Sequence, residues 1–100
     1  MTIQKIQENN NLTIKLEGRL DTITAPELEQ ELKGLLPGVE HLVIDLAATE
    51  YISSAGLRVL LSAQKTMNRQ GDMLVKGANE VIMEIFEVTG FVDILKIEEA

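Results

Sequence analysis

Two adjacent hydroxyls, those of Ser53 and Ser54, are the side chains of this sequence best placed to do chemistry. They follow an apolar run and precede Ala55 and Gly56, where helical spacing of apolar residues begins. In open α/β sheets, ligands and partners meet the carboxyl ends of strands, so hydroxyls at a strand-to-helix junction can belong to a binding site. Serine is also a preferred helix N-cap, so the same residues could simply satisfy the free amides of the helix. The local pattern leaves both interpretations open.

The pattern does not support serine hydrolase chemistry. The nucleophile elbow reads Gly-x-Ser-x-Gly, and Ile52 stands where its first glycine would be. A serine nucleophile also needs a base, and the single histidine, His41, begins the strand that leads toward Ser54. Strand geometry separates His41 from Ser54 by roughly 17 Å. We therefore expect His41 to be a surface residue, and a lone histidine does not make a metal site.

Two aspartates near strand ends are further candidates. Asp21 lies in a strand-to-helix loop, and Asp45 is the charged residue inside an apolar strand run. Asp21 is expected to cap the first helix or to frame the surface beside Ser54. The two carboxylates would form an acid–base pair only if both faced one cleft, which the sequence alone does not show. Because cysteine and a glycine-rich phosphate loop are absent, neither a cofactor nor a metal is expected.

The charge balance argues against two classes of partner. The formal net charge is -7, whereas binding to nucleic acids or to anionic membranes depends on basic patches. An acidic domain can instead meet a basic protein surface, or the charge can serve solubility alone. The sequence has no apolar run of about 18 residues and no signal peptide at its start. With no cysteine, it fits a reducing compartment, so we expect a soluble cytoplasmic protein.

The periodicity of apolar residues predicts a single α/β domain over residues 1–100. Strands are predicted at residues 2–7, 12–18, 42–46, 73–75 and 94–97. Helices are predicted from a Thr24 cap to the break at Pro37-Gly38, from Ser54 to about Gln70, and from an Asn79 cap to Gly90. The order β-β-α-β-α-β-α-β implies a mixed, mostly parallel sheet with an antiparallel edge strand. The nearly continuous apolar run at residues 42–46 predicts a central strand covered on both faces.

Five segments, taken in order, resemble the STAS domain family, which is named for sulfate transporters and anti-sigma factor antagonists. The resemblance covers nearly the whole chain and implies a compact STAS-like α/β fold. It also implies a bacterial regulator that is not an enzyme. The segments are Gly18-Arg19-Leu20-Asp21 with Ala25-Pro26, Leu42-Val43-Ile44-Asp45-Leu46, Tyr51-Ile52-Ser53-Ser54-Ala55-Gly56-Leu57, Gln70-Gly71, and Ile85-Phe86-Glu87-Val88-Thr89-Gly90-Phe91.

The resemblance implies partner exchange controlled by serine phosphorylation. Stand-alone members of the family bind an anti-sigma factor that is also a serine kinase, and they thereby free a sigma factor. The kinase phosphorylates a serine at the helix start, and a PP2C-type phosphatase removes the phosphate. Carried over by position, this serine is Ser54, with Ser53 as the second choice. Two positions depart from the family pattern, because Ser53 replaces an aspartate and Ala55 replaces a serine or threonine.

The family role implies a monomer that binds its partner around this turn. An alternative is a STAS scaffold or accessory subunit of a signalling or transporter complex, acting without phosphorylation. A third is a sensor that binds a small molecule at the sheet end, as some relatives do. The residues expected in partner binding are Asp21, Thr22, Thr24, Ser53, Ser54, Ala55, Gly56 and Arg58.

Overall fold

Five strands and three helices alternate along residues 1–98, the part of the chain that the computed structural model describes. The strands are β1 (Thr2–Glu8), β2 (Asn11–Leu20), β3 (His41–Ile52), β4 (Asp72–Lys76) and β5 (Ile97–Glu98). The helices are α1 (Ala25–Leu35), α2 (Ser54–Gln70) and α3 (Glu80–Thr89), with a single 3₁₀ turn at Phe91–Asp93. The predicted order of elements is confirmed. No helix of the described residues is long and apolar enough to cross a membrane.

The strands form one sheet in the order β1-β2-β3-β4-β5. Strand β1 pairs antiparallel with β2 through the tight turn at Asn9, whose φ of 56° is left-handed. All other neighbours are parallel. The mixed sheet with an antiparallel edge strand is therefore confirmed.

One face of the sheet carries the aliphatic core. On β3 the side chains of Leu42, Ile44 and Leu46 are buried, whereas the intervening Val43 and Asp45 are half-buried on the opposite face. Parallel strands joined by helices make right-handed crossovers, so sequential strands placed side by side receive all three helices on one face. The expectation that β3 is covered on both faces was wrong, because its apolar run includes one residue, Val43, that points away from the helices.

Strand β3 is longer than predicted and continues to Ile52, which directly precedes Ser53. The register against β2 shifts twice, between Lys15 and Glu17 and between Gly18 and Arg19. At each shift β3 gains one residue relative to β2, which is the signature of a β-bulge. The predicted strand ends at residue 46, and residues 47–52 lack regular strand alternation. The bulges allow them to stay in the sheet without that alternation.

The helix and strand ends differ in how well the sequence predicts them. Asn79 caps α3 as predicted, since its Oδ1 accepts a hydrogen bond of 2.8 Å from the Ile82 N–H. Thr24 occupies the N-cap position of α1, but its side chain makes no capping hydrogen bond there. The last strand was expected at residues 94–97, but the 3₁₀ turn instead buries Leu95 in the core. Pairing with β4 consequently begins at Ile97, opposite Val75.

Candidate partner-binding site at the start of helix α2

The two serines at the start of α2 have different structural roles. Ser53 is the N-cap, with extended backbone angles, and its Oγ accepts a hydrogen bond of 3.4 Å from the Gly56 N–H. Its own N–H donates to the Leu20 carbonyl at 2.9 Å, which ties the helix start to the end of β2. Ser54 is exposed, and its hydroxyl has no hydrogen-bond partner among residues 1–98. Ser53 is therefore structural, and Ser54 is available to an outside group.

Gly56 lets α2 approach the sheet closely. A Cβ built on Gly56 would lie 2.7 Å from Leu20 Cγ and 2.9 Å from the Leu20 carbonyl oxygen. Real Cβ atoms do not approach backbone that closely, so a larger residue would push the helix outward. Gly56, which is expected in the partner surface, is itself buried and holds the serines in place through its close approach to Leu20.

The loop from β2 to α1 is held by the Asp21 carboxylate. Its Oδ1 accepts hydrogen bonds from the Ile23 and Thr24 N–H groups at 3.0 and 3.1 Å. The Thr24 hydroxyl donates to the Arg19 carbonyl at 2.7 Å and accepts from the Asp21 N–H at 2.9 Å. The hydrogen bond from the Thr24 N–H, followed by that from Ile23, lowers the pKa of Asp21 below its ordinary value. Asp21 and Thr24 therefore fix the shape of this loop. Through its hydrogen bonds to the Ile23 and Thr24 N–H groups, the Asp21 side chain positions the start of α1.

The loop held by Asp21 presents apolar surface at the same edge of the sheet as the serines. Ile23 in this loop is 86% exposed, more than any other large aliphatic side chain of residues 1–98. On the other face of the sheet end, Arg19 lies over the ring of Tyr51, with 4.7 Å between guanidinium carbon and ring centroid. The Nε atom of Arg19 also lies 3.8 Å from Asp21 Oδ2. The sequence does not single out Ile23, because one isoleucine in a polar loop has no periodic context.

A groove between α1 and α2 brings together three of the expected partner-binding residues. Thr22, Ala55 and Arg58 line this depression of about 340 Å³ at the end of the helices near Ser54. The sequence did not indicate the five other residues that line the groove, since they lie on helix faces with mixed polar and apolar character. The remaining lining residues are Ala25, Pro26, Glu29, Val59 and Ser62.

The other candidate groups do not join this site. His41 lies at the amino end of β3, the opposite end from Ser53, and its Nδ1 is 3.0 Å from Asp72 Oδ1. This contact with Asp72 raises the pKa of His41 above its ordinary value. Asp45 lies in the middle of β3 and accepts a hydrogen bond from the Ala47 N–H at 3.0 Å. Because Asp21 follows β2 at the level of Ile52, the two aspartates form no acid–base pair. Within residues 1–98, no cluster of three potential metal ligands is found.

The alternating order of strands and helices and the serine turn are both found in a known family, which matches almost the full chain. Residues 2–100 match the family model described as the STAS domain. The chain belongs to the STAS domain family. This STAS domain is 34% identical to BtrV of Bordetella bronchiseptica, which is named as an anti-sigma factor antagonist, with 97% of this chain and 84% of BtrV covered.

Two further matches come from other bacteria. An anti-sigma-B factor antagonist of Staphylococcus epidermidis is 29% identical, with 99% of this STAS domain and 94% of that protein covered. The phosphorylated form of SpoIIAA, a Bacillus cell fate determinant, superposes with a TM-score of 0.78 at 14% identity. That match covers 99% of this chain and 91% of the SpoIIAA chain. The structural match shows the shared fold, and the names of the relatives describe regulators rather than enzymes.

Proposed function

We propose that this chain is an anti-sigma factor antagonist whose unphosphorylated form binds an anti-sigma factor that is also a serine kinase. Phosphorylation of Ser54 by that kinase ends the binding, and a PP2C-type phosphatase restores it. The observation that carries the proposal is the exposed, unbonded Ser54 hydroxyl at the start of α2. The names of the sequence relatives support the class of regulator.

Geometry favours Ser54 over Ser53 as the phosphate acceptor. A kinase must reach the hydroxyl, and Ser53 is half-buried with its oxygen directed at the Gly56 N–H. The residue before the acceptor is an aspartate in the family pattern, and here it is Ser53. Aspartate and serine are both strong N-cap residues, so Ser53 keeps the capping role without the negative charge. This departure is therefore compatible with a phosphorylated Ser54.

The phosphate would act on the partner rather than on the fold. It adds about -1.5 to -2 charges at a helix N-terminus, where free amides and the helix dipole favour an anion. Arg58 lies four residues further along α2, so it shares the helix face of Ser54 and can approach the phosphate. The added bulk and charge then oppose a partner surface that had accepted a bare hydroxyl.

The proposed interface combines an apolar anchor with a polar rim. Ile23 projects from the hydrogen-bonded Asp21 loop, and the groove lined by Thr22, Ala55 and Arg58 lies between α1 and α2. Protein interfaces usually place most of their binding energy in a few apolar or arginine anchors within a polar rim. Ile23 is the strongest apolar candidate at this end of the molecule.

The test compares three forms of the chain with the anti-sigma factor kinase captured from the native cell. Wild type and Ser54→Ala should bind alike, whereas Ser54→Asp should bind at least about tenfold more weakly by calorimetry, since a tenfold change corresponds to about 1.4 kcal/mol. With ATP, phosphopeptide mapping should place the phosphate on Ser54, with Ser53→Ala as the matched control that is still phosphorylated.

Two results would contradict the proposal. One is equal capture of the same proteins by wild type and Ser54→Asp, which would favour a scaffold that acts without phosphorylation. The other is capture of no anti-sigma factor or serine kinase by any form.

A further inference from the structure

Within residues 1–98, the sheet has a second face that no helix covers. Along the central strands, alternate residues point away from the core, and their partners are in register from strand to strand. We call this surface the open sheet face. Its members are Thr13 and Lys15 on β2, His41, Val43 and Asp45 on β3, Asp72, Leu74 and Lys76 on β4, and Glu98 on β5.

The open sheet face carries charges of alternating sign in one row. Lys15 pairs in the ladder with Asp45, Asp45 with Lys76, and Lys76 with Glu98. A second row, one pleat away, is apolar at its centre, where Val43 lies beside Leu74. Among residues 1–98, the four ion pairs within 4.0 Å include none that uses Lys15, Asp45 or Lys76. These charges are therefore free to pair with another molecule.

We propose that the open sheet face binds the same face of a second copy of this chain. The two-fold axis would run parallel to the strands, between β3 and β4. Strand β3 of one copy then faces β4 of the other, because the rotation exchanges the two sides of the axis. Asp45 meets Lys76 of the second copy, and Val43 meets Leu74 of the second copy. Both contacts occur twice, as a two-fold interface requires.

Other arrangements of the same two faces are disfavoured by charge. An axis along the strands but through β3 would place Lys15 against Lys76 and Asp45 against Asp45. An axis across the strands, along this row, would place each charged residue against the same residue of the other copy, so that like charges meet. The axis between β3 and β4 pairs all four charges of the row with opposite charges, with Lys15 also meeting Glu98, whereas an axis between β2 and β3 would pair Lys15 with Asp45 and leave Lys76 against Gln4. Like charges in direct contact are destabilising, so the row selects one register.

The dimer should be weak and reversible. Sheets pack about 10 Å apart with strands at about -30°, and adjacent strands are about 4.8 Å apart. The nine facing residues of each copy then bury less than about 1,200 Å² in total, the range of weak and transient interfaces. Each copy also carries a net charge of -7, which opposes association. The monomer expected from the sequence would thus predominate only at low concentration.

The proposed dimer goes beyond the proposed function, and it leaves the partner-binding surface around Ser54 free. An axis parallel to the strands keeps the strand direction of both copies the same. Both α2 helices therefore begin at the same end of the dimer, and neither Ser54 is covered. A dimer of this shape could engage a two-fold symmetric partner at two sites at once, which raises overall affinity through effective concentration.

Sedimentation of the full chain between about 10 µM and 1 mM tests the proposal. Wild type should change from monomer to dimer over this range, the range that suits a small interface. Asp45→Lys and Lys76→Glu should each remain monomeric, because each places like charges at both copies of the contact. An equimolar mixture of the two variants should form a heterodimer at least as readily as wild type, since both contacts are again of opposite charge.

The matched control is Lys65→Glu, which changes the net charge as Lys76→Glu does but lies exposed on α2. It should dimerise within about twofold of wild type, as expected for a charge distant from the contact. Asp45→Lys also removes the hydrogen bond to Ala47, so concentration-dependent NMR shifts of wild type give an independent measurement. These shifts should centre on Val43 and Leu74.

The proposal is overturned if wild type stays monomeric at 1 mM, or if the folded variants do not associate when mixed. It is also overturned if wild type associates but the NMR shifts lie on α1 and α2. Binding of the kinase by monomeric Lys76→Glu is measured separately, so a failure here does not affect the role proposed for Ser54.

Discussion

At the scale of single residues, burial and hydrogen bonding separate two side chains that are chemically identical. Ser53 and Ser54 differ in exposure because an N-cap side chain turns back toward the first turn of its helix, whereas the next side chain points outward. The sequence predicted a helix beginning at Ser54 and ending at Gln70, and both ends are confirmed. It left the division of roles between the serines open, because that division depends on how the Ser53 N–H is anchored to Leu20.

Alanine at each serine should separate the cap from the proposed phosphate acceptor. Ser53→Ala should lower the free energy of unfolding by about 0.5–1 kcal/mol, near the lower end for N-cap loss because the hydrogen bond to Gly56 is long. Ser54→Ala should change it by less than about 0.5 kcal/mol, as an exposed substitution does. Urea denaturation of both variants and wild type measures the difference. A larger loss in Ser54→Ala than in Ser53→Ala would reverse the assignment.

At the scale of elements, the two bulges of β3 determine where the site lies. They allow β3 to stay paired with β2 as far as Ile52, so that β3 ends beside Leu20 and the two helix starts meet at one edge of the sheet. A bulge interrupts the ladder, and here the Thr49 hydroxyl donates to the Leu16 carbonyl at 2.7 Å. Sequence periodicity predicted the regular part of β3 but not this part, because the inserted residues break the two-residue alternation. The same limit applies to β5, where Ile94 and Leu95 read as strand but follow the 3₁₀ turn without pairing with β4.

Replacing Thr49 with valine should destabilise the fold through this one hydrogen bond. The side chain is 3% exposed and the two residues have similar shape, so the main change is an unsatisfied carbonyl at Leu16. Such a buried group costs about 1–3 kcal/mol. Thermal unfolding followed by circular dichroism should show a decrease in Tm of roughly 4 °C or more, given about 4–8 °C per kcal/mol for a domain of this size. Thr13→Val, on the half-buried open face, is the matched control and should leave Tm nearly unchanged. An unchanged Tm in Thr49→Val would mean that the bulge does not depend on this hydroxyl.

At the scale of the whole molecule, the fold separates two surfaces that the sequence does not distinguish. The helices cover one face of the sheet, the proposed partner site lies at the edge where strands β2 and β3 end, and the open face lies on the other side. The family could be identified from sequence because its segments span the chain. The open face could not, because its alternating charges come from four strands distant in sequence and meet only through the register of the sheet.

This separation predicts that phosphorylation of Ser54 leaves the fold intact while it ends partner binding. The phosphate would lie at a helix N-terminus that favours an anion, and the Ser54 hydroxyl makes no hydrogen bond within residues 1–98 that could be lost. Thermal unfolding of the phosphorylated chain should therefore give a Tm within about 4 °C of the unmodified chain, corresponding to less than about 1 kcal/mol. A chain phosphorylated at Ser53 is the contrasting case, because there the phosphate must replace the cap that holds Gly56. A Tm lowered by more than about 8 °C on phosphorylation of Ser54 would show instead that the switch acts by unfolding the start of α2.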